Sequence, residues 1–312
     1  MTVPIVYIDC SAMMRRVLDE LGGREGLLVH EGDPSRAELA ALLSNASIAL
    51  NGHTIIDEAL LSEPSHLRSI VFLGTGASSY IDVTAAERRN IRIRTVKGYG
   101  DRTVAEHAFA LLLSAAREVA RMDRDVRAGC WSASEGVELQ GRTLGVIGLG
   151  GVGCEMARIA AAFGMGVVAW NRSGIGPGVP ARFVDLDTLL AVSDAVSLHL
   201  ALVPETCGLI DARRLGLMKP GAILVNTARG ALVDEAELIG ALRCRRIAHA
   251  ALDVFAAEPL GSDHPLTRLD NVTLTSHAAW KSAAAGRRLL ELALDLAAAD
   301  ARRLAAGAPL GP

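Results

Sequence analysis

Three glycines and three polar side chains carry most of the chemical content of this sequence. Residues 144–153 read LGVIGLGGVG, an apolar run entering Gly148, Gly150 and Gly153, followed by a helix-compatible run from Cys154 to Phe163. Gly-x-Gly-x-x-Gly between a strand and a helix suits the pyrophosphate of a dinucleotide. Gly148 permits the tight turn, Gly150 lets backbone approach the anion, Gly153 lets the helix pack on the strand, and the helix N-terminus offers free amides. The next strand-like run ends at Asn171, where an acidic residue would grip the ribose hydroxyls of NAD; Arg172 and Ser173 follow. Without a carboxylate to repel a 2′-phosphate, and with Arg172 and Ser173 to receive it, NADP(H) is the expected cofactor and NAD(H) the alternative.

Further along, three strand-like runs each end in a segment with a polar group: NTARG (226–230), DVFAAEP (253–259) and SHAAW (276–280), which carry Arg229, Glu258 and His277. Ligands of open α/β sheets bind at the carboxyl ends of strands, so the three groups are expected to converge. Taken singly, an Arg in a glycine-flanked loop, a Glu before a proline or a His at a strand end is more often structural. Their joint occurrence gives the pattern its weight.

The elements that must position these groups follow from composition and periodicity. The chain has 312 residues, which predicts two domains; half of them are hydrophobic but only 4% aromatic. Such a core of Ala, Val, Leu and Ile predicts a helix-covered parallel sheet, hence an α/β fold. β-like runs at 4–9, 47–50, 69–73 and 91–95 alternate with helix-like runs, and a second series follows at 143–147, 166–170, 194–199, 221–225, 247–252 and 271–274. Between them, Val104, Ala108, Leu111, Ala115, Val119, Met122 and Val126 are spaced as one face of a single long helix, bridging or dimerising. Residues 129–141 read as a loop, and 282–306 as a helix with Leu289, Leu292 and Leu296 on one face.

A net charge of -3 with scattered cations leaves no footprint for nucleic acid. No stretch is apolar enough for a membrane span, and the N-terminus lacks the pattern of a signal peptide. Five cysteines (Cys10, Cys130, Cys154, Cys207, Cys244) at wide spacing fit neither a disulfide framework nor a zinc site. The expectation is a soluble, cytoplasmic protein with free thiols, no metal and a small-molecule substrate.

The polar segments resemble the D-isomer-specific 2-hydroxyacid dehydrogenase family. The similarity extends through GTG (74–76), TVAEHAFALLL (103–113), GRTLGVIGLGGVG (141–153), SLHLALVPET (197–206) and LMKPGAILVNTARGALVDEAEL (217–238). The resemblance implies two Rossmann-like doubly wound parallel-sheet domains, a cofactor domain (99–282) inserted into a flavodoxin-like substrate domain (1–98 with 283–312), and a homodimer. Arg229 would bind the substrate carboxylate and keto oxygen, His277 would exchange the proton, and Glu258 would pair with the imidazole. The chemistry suits those types: Arg offers a planar fork that matches a carboxylate, His titrates near neutral pH, and a nearby carboxylate favours the charged imidazolium. Backbone amides at Gly76 and Ala77 would also meet the substrate carboxylate, and Asp253 the nicotinamide amide. Gly151, Val152, Thr206, Thr227 and Ala228 would complete the cofactor contacts.

The chain departs from the family pattern at Ser79, where many members carry Asp, and at Ala201, which replaces a frequent Pro. The implied activity is hydride transfer between NAD(P)H and a small 2-keto acid, of the glyoxylate or hydroxypyruvate type. The alternatives are a phosphoglycerate dehydrogenase and a dinucleotide-sensing interaction protein with little turnover.

Overall fold

Parallel strand pairing organises the computed structural model, which describes residues 3–22, 26–174 and 176–310. The chain divides into two compact units, 1–100 with 281–312, and 101–280.

The first unit contains β1 (Ile5–Cys10), α1 (Ala12–Glu20), β2 (Leu27–Glu31), α2 (Arg36–Asn45), β3 (Ile48–Asn51), α3 (Glu58–Ser62), β4 (Ser69–Phe72), α4 (Val83–Arg88) and β5 (Arg92–Thr95). Its five strands lie in the order β2-β1-β3-β4-β5, all parallel. Helices on both faces bury the strands, which is why β3 and β4 read as continuous buried runs, not alternating ones.

The second unit begins with α5 (Asp101–Ala116) and α6 (Val119–Arg127). It continues through β6 (Thr143–Ile147), α7 (Gly151–Ala162), β7 (Gly166–Trp170), β8 (Arg182–Phe183), α8 (Leu186–Val192), β9 (Ala195–Leu198), α9 (Ala212–Leu217), β10 (Ile223–Asn226), α10 (Glu235–Arg243), β11 (His249–Leu252) and β12 (Val272–Leu274). The sheet order is β12-β11-β10-β9-β6-β7-β8. Counted from β6 as the first strand, this is the 3-2-1-4-5-6 dinucleotide-binding order with one strand added, and the order reverses between β6 and β9.

The last helix, α11 (Ala283–Ala305), starts at Ser282, whose hydroxyl accepts from Ala285 N at 3.1 Å, and packs on α1, β3 and β4 of the first unit. A buried charge fixes it there: Asp300 accepts from Ser69 Oγ at 2.7 Å and from Arg94 Nη1 at 2.8 Å.

The structure corrects the sequence reading at four places. The expected single helix over 104–126 is two helices, because Glu118 adopts a left-handed backbone with φ of 51°. Past this break the apolar stripe is not buried within the chain: Val119 and Val126 are each 51% exposed. Two short strands escaped the reading: β2, which starts directly after Gly26, and β8, only two residues long. On α11 the buried stripe runs through Leu289, Leu290, Ala293, Leu294 and Ala297, with Leu292 facing outward. Alanines on the buried side make that stripe hard to weigh against exposed leucines.

Candidate active site

Register brings the polar segments together. Asn226 of β10 lies opposite Leu252 of β11, and Leu252 opposite Leu274 of β12, so three neighbouring strands end at one level. Thr227, Asp253 and Thr275 come next, and the turns bearing Arg229, Glu258 and His277 follow.

After β10 the Asn226 side chain accepts from Ala228 N at 3.0 Å and donates to Arg229 O at 2.9 Å, which closes a tight bend. Arg229 donates one Nη1 bond, 2.7 Å, to Ala228 O, and no carboxylate forms an ion pair with it among the described residues. Most of its five-donor fork therefore remains uncommitted.

Gly230, which the sequence reading did not single out, explains why this bend sits so close to the Glu258 loop. A Cβ there would lie 2.0 Å from the Phe255 carbonyl carbon and 2.5 Å from Ala256 N. Only hydrogen fits between the two backbones. The far side of the loop is held by Glu235, which accepts from Ala256 N at 3.2 Å and lies 3.1 Å from His264 Nε2.

Within this frame Glu258 Oε1 accepts from Phe255 N at 2.9 Å, and Oε2 lies 2.6 Å from His277 Nδ1. Burial pushes the Glu258 carboxyl up. The His277 hydrogen bond, the Phe255 amide and the charges of His277 and Arg229 outweigh it and hold the group below its ordinary value. With Nδ1 engaged, Nε2 is the imidazole nitrogen left to face a ligand.

The glycines of the turn meet different requirements. Gly148 has φ of 96°, and a Cβ on Gly153 would meet Gly148 O at 1.9 Å, so the turn and the close strand-helix packing both require glycine. Gly150 caps the twelve-residue α7, and a Cβ there would meet nothing within 4 Å. Gly151 is different: its Cβ would fall 1.7 Å from Asp101 Oδ2, so its small size accommodates the first residue of α5. Val152 is the next residue of α7, half-buried.

Thr227 is buried and its hydroxyl has no partner among the described residues. An orphaned hydroxyl at the strand edge and open space before a helix N-terminus are features that a bound dinucleotide would use. Thr206 differs: its hydroxyl is taken up by its own turn, bonded to Val203 N at 2.9 Å and Ala201 O at 2.8 Å. Ala228 gives its carbonyl to Arg229.

At the end of β7, Asn171 accepts from Leu149 N at 3.4 Å and donates to Ser173 Oγ at 2.9 Å and Gly174 O at 3.0 Å. Arg172 is exposed and makes no ion pair among the described residues. Asp253 is fully enclosed, and both carboxylate oxygens are bonded within the chain, to Thr275 Oγ1 and Ala278 N on one side and Ala279 N on the other. In the first unit, Gly76 and Ala77 open a 3₁₀ turn after β4, with Ser79 N donating to Gly76 O.

The sheet order with its glycine turn defines a Rossmann-type dinucleotide-binding unit. The chain belongs to the D-isomer specific 2-hydroxyacid dehydrogenase family, whose NAD binding domain model matches residues 109–279. The glyoxylate reductase of Aeropyrum pernix is 44% identical over 236 residues, covering 72% of this chain and 70% of that protein. The D-3-phosphoglycerate dehydrogenase of Mycobacterium leprae is 37% identical over 295 residues, 92% of this chain but 55% of that protein. The chain spans about half the length of the phosphoglycerate dehydrogenases it matches. Among solved structures, an acyclic imino acid reductase (Bsp5) in complex with NADPH and D-Arg superposes with a TM-score of 0.83 at 30% identity, over 99% of each chain.

Proposed function

We propose that the protein is an NADP(H)-preferring oxidoreductase that reduces a small 2-keto acid of the glyoxylate or hydroxypyruvate type to its D-2-hydroxy acid. The observation that carries this reading is the His277–Glu258 pair at 2.6 Å, next to the bend that bears Arg229, which makes no ion pair among the described residues. The nicotinamide, when bound, supplies the hydride. Arg229 binds the substrate carboxylate and polarises the keto oxygen. His277 delivers a proton from Nε2 as that oxygen becomes a hydroxyl, and Glu258 holds the ring and its charge in place. Amides at Gly76 and Ala77 are assigned to the same carboxylate.

Gly148, Gly150, Gly151, Val152 and Gly153 are assigned to the pyrophosphate side, and Thr227, Ala228 and Thr206 to the remainder of the dinucleotide. For the 2′-phosphate, Ser173 Oγ accepts from Asn171 and so keeps its own proton for an anion, beside the exposed Arg172. The apolar residues left uncovered on α6, with Trp131 at 94% exposure, support a homodimer built on this segment. Free thiols fit a cytoplasmic setting.

D-3-phosphoglycerate is a second reading, favoured by the 92% coverage of this chain in the Mycobacterium leprae match. The loop at 74–80 contains no Lys or Arg to hold a phosphate. Steady-state rates with glyoxylate, hydroxypyruvate and 3-phosphohydroxypyruvate, each with NADPH and NADH, test the proposal. Tight NADPH binding with no turnover of any keto acid would reject it in favour of a dinucleotide sensor.

A further inference from the structure

His277 has a left-handed backbone, φ of 49°, a region that few non-glycine residues occupy and that Asn, Asp and His enter more often than the rest. Something must over-determine it. Asp253 is placed to do so: its carbonyl oxygen accepts from His277 N at 2.8 Å, Oδ1 from Ala278 N at 2.9 Å, and Oδ2 from Ala279 N at 2.8 Å. Three successive amides are gripped by three oxygens of one residue. The carboxylate that completes this clamp is 0% exposed.

The clamp has a further support that proton counting identifies. Thr275 Oγ1 donates to Asp253 Oδ1 at 2.5 Å, which uses the only hydroxyl proton. His107 Nε2 lies 3.1 Å from the same hydroxyl and 3.6 Å from Asp253 Oδ1. Both neighbours are acceptors toward it, so Nε2 carries a hydrogen and donates. Burial pushes the Asp253 carboxyl up, but donors from His107, Thr275, Ala278 and Ala279 bring it below its ordinary value. His107 sits on α5, the helix whose first residue, Asp101, fills the space that Gly151 leaves open.

We propose that His107 is a positioning residue: through Thr275 and Asp253 it maintains the three-amide clamp that holds His277 in its left-handed backbone. One helix thereby supports both the glycine turn and the proton-donating loop. The proposal rests on the hydroxyacid reading only in giving His277 a proton to transfer; the clamp itself does not depend on it.

The test uses the full chain with His107→Leu, which removes the donor, and His107→Gln, which restores one. Three readouts are needed: kcat and KM for keto-acid reduction, the NADPH dissociation constant by calorimetry, and hydrogen exchange of the amides at 277–279. For His107→Leu the expected result is at least a tenfold loss in kcat, NADPH affinity within about twofold of wild type, and at least tenfold faster exchange at those amides. His107→Gln should recover much of both losses. Unchanged kcat and exchange in a folded His107→Leu protein overturn the proposal, as does a loss confined to NADPH affinity. If His107→Leu does not fold, Thr275→Val against Thr275→Ser decides by the same readouts. If wild type reduces no keto acid, the functional reading fails, and the exchange data still decide whether the clamp exists.

Discussion

Glu258 and Gly230 show how much of this site depends on one atom or one missing atom. Glu258 joins a backbone amide to the imidazole, so replacing it with Gln keeps most of the shape and removes the charge. Glu258→Gln is expected to lower kcat for keto-acid reduction at least tenfold, because the ring that donates the proton loses the anion bonded to its Nδ1. Steady-state kcat in both proteins measures this; an unchanged kcat would leave Glu258 a scaffolding role. Gly230→Ala puts a methyl into the Phe255 backbone, and overpacking of that kind costs about 1–3 kcal/mol. The variant should melt earlier and lose at least tenfold in kcat, as the loop that presents Glu258 is pushed away. The segments bearing Arg229, Glu258 and His277 were legible in the sequence because each follows a strand-like apolar run and the three stand in the order of one family's pattern. Gly230 and His107 were not, since a glycine beside an arginine and a histidine on a helix have no local signature of what they touch across the fold.

At the scale of elements, ten strands were read to within a residue or two, because continuous apolar runs between turn residues leave little ambiguity in an α/β protein, whereas β2 and β8, at the less buried ends of their sheets, carry no such run. Helix ends were less legible. The stripe from Val104 to Val126 has correct helical spacing throughout, yet the left-handed backbone at Glu118 breaks it, and no proline or glycine marks the place. The turn after β7 supports a prediction of its own. Asn171 ties this turn to the glycine loop through Leu149 N, while Arg172 stays unpaired among the described residues. The double change Asn171→Asp with Arg172→Ala should shift the NADPH to NADH ratio of kcat/KM by at least about tenfold toward NADH, about 1.4 kcal/mol. Steady-state assays with both cofactors check it, and an unchanged ratio would remove this turn from cofactor selection.

On the scale of the whole molecule, two histidines make the second unit sensitive to acid. Burial holds His199 and His249 down to about 4, below their ordinary value. Between about pH 6.5 and 4 the unfolded chain binds protons that the folded chain refuses, so stability falls as pH drops through that window. Each group contributes on the order of 3 kcal/mol by this linkage. Melting temperature followed from pH 7 to 4.5 should fall steeply, and His249→Gln should flatten the slope. The division of the chain also sets an order of events during synthesis. Residues 101–280 form one unbroken unit, whereas the first unit needs α11, whose Asp300 bonds to Ser69 and Arg94, made some two hundred residues earlier. The middle of the protein can therefore reach its native state on the ribosome while the beginning waits for the end. Nascent chains stalled soon after residue 280 has left the exit tunnel should resist protease across 101–280 and remain open to cleavage between 1 and 100. A chaperone that binds the emerging N-terminal strands would then have to hold them for about half a minute, at typical rates of elongation.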